Sequence, residues 1–540
     1  MIYGDELTPG NVLKLNNNLK MMAWYFTVYE FAERLTRHEA MWLPLGVISS
    51  NTAKDIPGGL SHVFKVMMKQ LFEVEKIQDE GVILELDEPM RFFFKMRLIL
   101  LDGEANRAIW SCKGASGKLC CFRCLNCVRD RNIATRNDVF AHVSECDFSQ
   151  FIVASDNAIW RKVDSLSCQV AEHEAGRATK ASVDDLSTAM GFTFQSEGIL
   201  FDKGLRQYIK PATHGRYDSM HNLVSNGLAQ LQTALLINHL RDVSNFQFED
   251  LRMFGKSGWK VASAFGNSGH IRSALSAKRF DKGDFTASAS DMLLVMPVFL
   301  HYLELVATRS IDLGDHLPCY QLLCEMCKHV SQAKRGLHDR EKFRAACAQH
   351  LKLFCKCYGA NATVPKHHFH MHSAYDPEDK LFDCFAGERK NRFIKQCAQP
   401  VRLQKRYEFS VLSKAIALQL DALDACDNFE DRLVRPKAAH ESGWTTSREA
   451  VVGGNSLRLG DVIVACNRAI VLKAFRRGPN SSSSTSPIVL SADLYAFDAQ
   501  VTKSSKAFAI TARDALVQVD QFDMVTVWYF DRDARLVLVS

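Results

Sequence analysis

Leu100-Leu101-Asp102-Gly103-Glu104-Ala105 closes an apolar run that starts near Arg91 and stops at a carboxylate. Ile2-Tyr3-Gly4-Asp5-Glu6 has the same shape at the start of the chain: a short apolar lead, then acid. Such runs read as strands, and an acid where a strand ends projects past the sheet edge on a backbone that the sheet holds fixed. Two strands of this kind lying side by side would bring Asp5 and Asp102 together. Like charges that close repel unless a cation lies between them. Mg²⁺ takes one or two carboxylates together with waters and phosphate oxygens. A pair of such ions can clamp the attacking and leaving oxygens of a phosphodiester exchange. Taken singly, each acid also reads as a turn residue. Taken as a pair behind two strands, they read better as metal ligands.

Working outward, Met21 to Phe31 and Met41 to Ser49 are further strand candidates, rich in aromatic and aliphatic residues. A turn at Pro9-Gly10-Asn11 follows the first strand. After the breaker Pro57-Gly58-Gly59, apolar residues recur at helical spacing through Leu60, Val63, Phe64, Met67 and Leu71. Gly81 to Leu86 is another strand candidate. The order is strand with acid, strand, strand, helix, further strand with acid.

Beyond the second acid, Cys112 to Cys146 is dense in cysteine, glycine and basic residues, and Ala158 to Tyr358 is mainly helical in pattern. Pro365 to Cys384 reads as irregular and histidine-rich, followed by helices over Ala386 to Cys397 and Tyr407 to Leu423. The last hundred residues read as short strands, from Leu457 to Val464 through Met524 to Val539, with Ser481 to Ser484 in a low-complexity loop.

A chain of 540 residues should hold about three or four structural units. With 47% hydrophobic and 24% charged residues, a largely disordered chain is excluded. The most apolar stretch, Met292 to Leu303, is interrupted by Pro297 and His301 and falls short of a membrane span. The first residues lack the basic and apolar regions of a secretory signal, so the 17 cysteines are expected to be reduced thiols with a metal site among them. A net charge of +6 permits a polyanionic partner.

Cys121, Cys124 and Cys127 form a C-x-x-C-x-x-C run, with His142 and Cys146 downstream. Tetrahedral zinc needs four thiolate or imidazole ligands, and Cys121 and Cys124 with His142 and Cys146 would supply them. The other reading is a set of reduced, partly buried cysteines. Cys324, Cys327 and His329 lie in an apolar helical stretch and read as core. His367, His368, His370 and His372 alternate, and no ligand role is assigned to them. Asp218 and His221, three apart at a helix start, are either a cap with a first-turn histidine or a pair supporting a site. Between Glu388 and Glu408 lie Arg389, Lys390, Arg392, Lys395, Arg402, Lys405 and Arg406 and no acid. A second basic cluster runs through Arg107, Lys113, Lys118, Arg123, Arg129 and Arg131. Phosphate contacts and solvated faces are the two readings for both, and the acid-free run favours DNA.

Four segments resemble those of CACTA (En/Spm-like) DDE transposases, enzymes of the RNase H-like superfamily. Tyr3 to Asn11 resembles the segment around the first catalytic Asp. Leu100 to Ala105, followed by Lys113-Gly114 and Cys121-Phe122-Arg123-Cys124, resembles the second. Asp218-Ser219-Met220-His221 matches an Asp-x-x-His signature. Pro365-Lys366-His367 and Phe385-Ala386-Gly387-Glu388-Arg389-Lys390-Asn391 resemble the segments that carry the closing Glu.

The resemblance implies an α/β RNase H-like catalytic core with a large helical insertion, plus a small C-terminal β domain. Its expected divisions are core strands and first helix over 1–110, and a cysteine-rich, zinc-knuckle-like segment over 111–150. The helical insertion follows over 151–360, the core is completed over 361–436, and the β domain occupies 437–540. It implies Asp5, Asp102 and Glu388 as catalytic residues holding Mg²⁺ or Mn²⁺, with Asp218 and His221 in support. Arg389, Lys390, Arg392, Lys395 and Lys113 would contact DNA. The implied activity is metal-dependent cleavage and strand transfer on double-stranded DNA in the nucleus, with homo-oligomers and no membrane among the expected partners. Only four residues precede Asp5, where family members carry more sequence. A catalytically inactive, transposase-derived DNA- or protein-binding relic is therefore the alternative expectation, and a zinc-stabilised interaction scaffold a third.

Overall fold

A computed structural model describes the chain apart from residues 10–18, 32, 86, 131–138, 245, 263–268, 277–278, 282, 334–337, 377–379, 402–405, 425–430, 439–443, 454, 478–487, 519–521, 532–534 and 540. Part of the Pro9-Gly10-Asn11 turn, the Ser481–Ser484 loop, Arg131, Arg402 and Lys405 thus lie outside the described residues. The protein is mixed α/β and divides into two compact units. The first comprises Met1–Asn222, Ala333–Cys355 and Gly359–Asp424; the second comprises Leu223–Gln332, Lys356–Tyr358 and Ala425–Ser540.

The first unit is built on a five-stranded sheet. Strands β1 (Ile2–Leu7), β2 (Met21–Phe26) and β3 (Leu43–Ser49) pair antiparallel in sequence. Strand β4 (Ile99–Leu101) lies parallel to β1 on its other side, and β5 (Gly215–Tyr217) lies parallel to β4. The sheet order is β3-β2-β1-β4-β5. Both faces are covered, so β1, β2 and β4 are buried almost throughout and read as continuous apolar runs.

One face carries Ile2, Met22, Trp24, Ile99, Leu101 and Tyr217, which share a core with Phe64 and Met68 of helix α1 (Gly59–Lys69) and Ile109 at the end of α2 (Gly103–Ile109). Helix α1 buries Ser61, Phe64, Lys65 and Met68, the three- and four-residue spacing of one helical face. Burying side chains such as Phe64 and Met68 contributes roughly 1.5–3 kcal/mol each. Helix α3 (Asp156–Glu174) extends this core through Ile159, Val163 and Leu166, and α4 (Lys180–Met190) packs against it through Val183, Leu186 and Met190. Further along lie α5 (Arg340–Tyr358), α6 (Pro365–Tyr375), α7 (Phe385–Ala398) and α8 (Tyr407–Asp424).

Three expectations change here. The Arg91–Leu101 run splits: Met90–Phe92 pairs with Val82–Leu84 as a hairpin, and only Ile99–Leu101 joins the main sheet. The stretch after Pro365 is helical, because proline at the first helical position gives up an N–H that has no partner there anyway. The terminal strands do not form a unit of their own. Lys260–Val261 pairs with Val527–Trp528, and residues 223–332 join the strands in the second unit, while 151–222 belong to the first.

The second unit packs the long antiparallel strands Arg468–Arg477, Val489–Gln500 and Ser505–Val517 over a core that includes Ile463, Leu472, Phe475 and Leu490. The helix Ala289–Leu305, with Pro297 inside it, is the apolar stretch noted in the sequence. Contrary to the expectation that this stretch falls short of a span, with the turn that follows, to Arg309, it is long and apolar enough to cross a membrane by length and composition, and 67% of its most apolar window is buried. Burial of that extent is what a core helix of a folded unit requires.

Candidate active site and metal centre

Acids follow the last residues of the parallel pairing on three strands. Gly4 pairs with Leu101, and Leu101 with Tyr217, so Asp5, Asp102 and Asp218 follow one another along that edge. Asp102 and Asp218 lie just past β4 and β5, whereas Asp5, expected where its strand ends, lies inside β1, which stays paired with β2 to Leu7. The carboxyl ends of parallel strands are where open α/β sheets receive ligands. Side chains alternate along a strand, so Asp5 shares a face with Tyr3, and Asp102 with Leu100. This is the face opposite the α1 core.

Helix α7 covers it and delivers Glu388. A Cβ at Gly387 would lie 2.2 Å from the Tyr3 ring, so glycine is what lets the first turn of α7 rest on β1. The Tyr3 hydroxyl donates to Glu388 Oε1 at 3.4 Å. One turn further, Asn391 donates from Nδ2 to Asp5 Oδ2 at 2.6 Å, while its own Oδ1 accepts from the Tyr25 hydroxyl at 2.7 Å. Burial, the Glu388 carboxylate and then Asp102 push the Asp5 carboxyl up to about 8, with His221 pulling the other way. The three acids expected from the sequence therefore form one electrostatic group. Asp102 is also a cap: its Oδ1 accepts from Ala105 N at 2.6 Å and starts α2. The neighbouring acids do other work. Glu6 pairs with Lys20 at 2.5 Å and accepts from Ser50, and Glu104 is exposed.

Asp218 and His221 join the same group. Asp218 is buried and accepts from the backbone of Met220, His221 and Cys384. Its Oδ2 meets His221 Nδ1 at 2.5 Å, which leaves His221 Nε2 3.7 Å from Glu388 Oε1. Burial alone would lower the imidazole pKa, but Asp218 overrides it and holds His221 up at about 9. Cys384, just before α7, donates from Sγ to Asp218 Oδ2 at 2.6 Å. The ligand atoms of Asp218, His221 and Cys384 lie close enough together to hold a metal ion. Asn391 closes the segment quoted around Glu388 without a role assigned to it, and no role was expected for Cys384 or Tyr25.

A second centre gathers Cys121, Cys124, His368 and His372, all buried, with ligand atoms within 4.8 Å of one another. Cys121 Sγ and Cys124 Sγ each lie 3.3 Å from His372 Nε2, Cys124 Sγ lies 3.3 Å from His368 Nε2, and the two Nε2 atoms are 3.1 Å apart. Tetrahedral zinc with the usual bond lengths separates sulfur from nitrogen by about 3.5 Å and nitrogen from nitrogen by about 3.3 Å. This Cys/His group can hold a metal such as zinc. Burial keeps His372 at about 4, hence neutral, the form in which imidazole ligates. The Cys121 sulfur also meets the Tyr217 hydroxyl at 3.2 Å, and Phe151 packs on His368 with ring centroids 4.1 Å apart.

The ligand set differs from the expected one. Cys121 and Cys124 are in it; His142 and Cys146 are not. His142 lies in a short strand beside Cys127–Val128, where its Nδ1 meets Ser144 Oγ at 2.7 Å, and Cys146 donates to the Ser144 carbonyl. The histidines come instead from α6, where a four-residue spacing puts His368 and His372 on one face. The signal was present as His-x-x-x-His, hidden by reading the segment as irregular.

The basic residues separate by burial. Arg389 and Arg392 are exposed on α7, and Lys395 and Lys113 are partly exposed. Lys390 is not available to DNA: it is buried, bonded to Gln419 Oε1 and 4.1 Å from the Phe393 ring centroid. Burial lowers its pKa to about 8. Arg123 is likewise internal, held by both oxygens of Asp376 at 2.9 and 2.6 Å. Among known proteins, no family model, curated protein or solved structure matches the chain.

Proposed function

We propose that this chain is a transposase-like protein with an RNase H-like core, which cleaves DNA phosphodiesters in a metal-dependent reaction and transfers the strand. The observation that carries the reading is the gathering of Asp5, Asp102 and Glu388, distant in sequence, where the parallel pairing of two strands stops under one helix. The sheet order, three antiparallel strands followed by two parallel to the first, supports it.

The donor set is all oxygen, which suits a hard cation, and Asp5, Asp102 and Glu388 would hold Mg²⁺ or Mn²⁺. When bound, such ions polarise the phosphodiester and raise the reactivity of the attacking water or 3′-hydroxyl. The chain's own groups set the site up. Tyr25 orients Asn391, Asn391 orients Asp5, and Tyr3 donates to Glu388. Asp218 fixes His221 so that its Nε2 keeps a proton beside Glu388. His221 and Asp218 are thus positioning residues. Zinc held by Cys121, Cys124, His368 and His372 would serve structure, tying α6 to Tyr217 at the end of β5. Arg389, Arg392, Lys395 and Lys113 remain the DNA contacts of this reading, which also assigns the protein to the nucleus, to homo-oligomers and to no membrane.

The test is nicking of supercoiled plasmid by the purified full chain in Mg²⁺ or Mn²⁺, with Asp102→Asn as control. Asparagine caps a helix as well as aspartate does, so this variant keeps α2 intact while removing the charge. Metal-dependent nicking that the variant abolishes supports the enzyme. DNA binding without nicking would leave the inactive relic.

A further inference from the structure

A cavity of about 380 Å³ opens in the first unit, lined among others by Arg37, Trp42, Lys380, Phe382, Phe385 and Arg389. Asp5, Asp102 and Glu388 are not among its lining residues, but it reaches the face of the sheet that carries them. Leu100, also in the lining, precedes Asp102 by two residues on the same face of β4, a rise of about 7 Å. Phe385 and Arg389 flank Glu388 on the first turn of α7.

The lining combines aromatic surface with positive charge. The Trp42 ring is fixed by its Nε1, which donates to the Thr36 carbonyl, and stands edge-on to Tyr3. Tyr29 holds two members: Lys380 Nζ lies 4.6 Å from its ring centroid, and Phe382 packs against it. Arg389 donates to the Arg37 carbonyl, which keeps the two guanidinium-bearing residues together at the rim. The acid of the lining, Asp383, accepts from Phe385 N at the start of α7 and so sits against a helix N-terminus. The volume lies at the lower end of small-molecule sites, about 300–1,000 Å³, which suits one nucleotide and not a duplex groove.

We infer that this cavity takes one unpaired nucleotide of the bound DNA, its base against Trp42, Phe382 and Phe385 and its phosphate toward Arg37, Lys380 and Arg389. Stacking on aromatic faces accepts any base, so the site selects for an unstacked nucleotide and not for sequence. Enzymes that accept an extruded base bind best where pairing is already broken, because the cost of unstacking is then smallest. The inference rests on the DNA reading above.

The experiment compares two short duplexes in Ca²⁺, one fully paired and one carrying a single 2-aminopurine as a one-nucleotide bulge, each titrated with the full chain. The bulged duplex should bind about five-fold tighter or more, with 2-aminopurine emission falling on binding. Phe382→Ala and Lys380→Gln should each bring the ratio of the two affinities to about one, with affinity for the paired duplex retained. Equal affinities for the wild-type chain, or a preference that survives both substitutions, would overturn the inference while leaving the DNA reading intact. Failure to bind the paired duplex at low salt would overturn both.

Discussion

Gly387 rests on the ring of Tyr3 so closely that a methyl group there would overlap it, at 2.2 Å from both Cδ1 and Cε1. The contact joins the start of α7 to β1 and fixes how far Glu388 stands from Asp5. Gly387→Ala should push the helix off the strand, costing roughly 1–3 kcal/mol as an overpacked core substitution does. A lowered thermal midpoint together with loss of metal-dependent nicking would bear this out; an unchanged midpoint would mean that the helix is not held there.

His221 is held between Asp218 and Glu388 by its two ring nitrogens. His221→Asn removes the cation beside Glu388 but leaves the Asp218 carboxylate its backbone donors. Partners that orient ligating carboxylates typically carry about 10- to 100-fold in affinity or rate, and a loss in that range is expected here. Circular dichroism and nicking rate, measured on the same preparation, check it.

For the Cys/His centre, Cys124→Ser or His372→Ala should remove one equivalent of zinc from the purified protein and lower stability by several kcal/mol, since binding energy at a structural site is folding energy. Cys146→Ser and His142→Ala should change neither. Atomic absorption on the four variants separates the two ligand sets directly.

In the second unit, burial holds His301 down at about 4. Its Nε2 lies 2.9 Å from the Tyr529 hydroxyl, and the Phe254 and Trp259 rings face it. The unfolded chain takes up this proton near pH 6.5, the folded chain only near 4. The contribution to stability is therefore complete above pH 6.5 and is lost as the pH falls toward 4. It amounts to at most about 3 kcal/mol. His301→Gln should flatten denaturant midpoints across that window, and an unchanged pH dependence would contradict the assignment.

The acids at Asp5 and Asp102 were legible because a buried parallel strand writes itself as an apolar run, and the acid that interrupts it stands out, although β1 itself continues past Asp5 to Leu7. Glu388 was reachable only through its neighbours Gly387 and Asn391, because an acid in a first helical turn is ordinary on its own. What the sequence hid were contacts made across distant segments. Cys384 meets Asp218, Asn391 meets Asp5, and His368 and His372 meet Cys121 and Cys124. No local spacing encodes those pairings. Lys390 misled for a related reason: in a run of cations only packing decides which one turns inward, and α8 supplies Gln419 to receive it.

The most direct test is Mn²⁺ binding to the full chain, followed by electron paramagnetic resonance, for the wild type and for Asp5→Asn, Asp102→Asn and Glu388→Gln. One shared carboxylate site should bind Mn²⁺ in the wild type and lose about tenfold or more in affinity in each of the three variants. Equal Mn²⁺ affinity in all four proteins would contradict it.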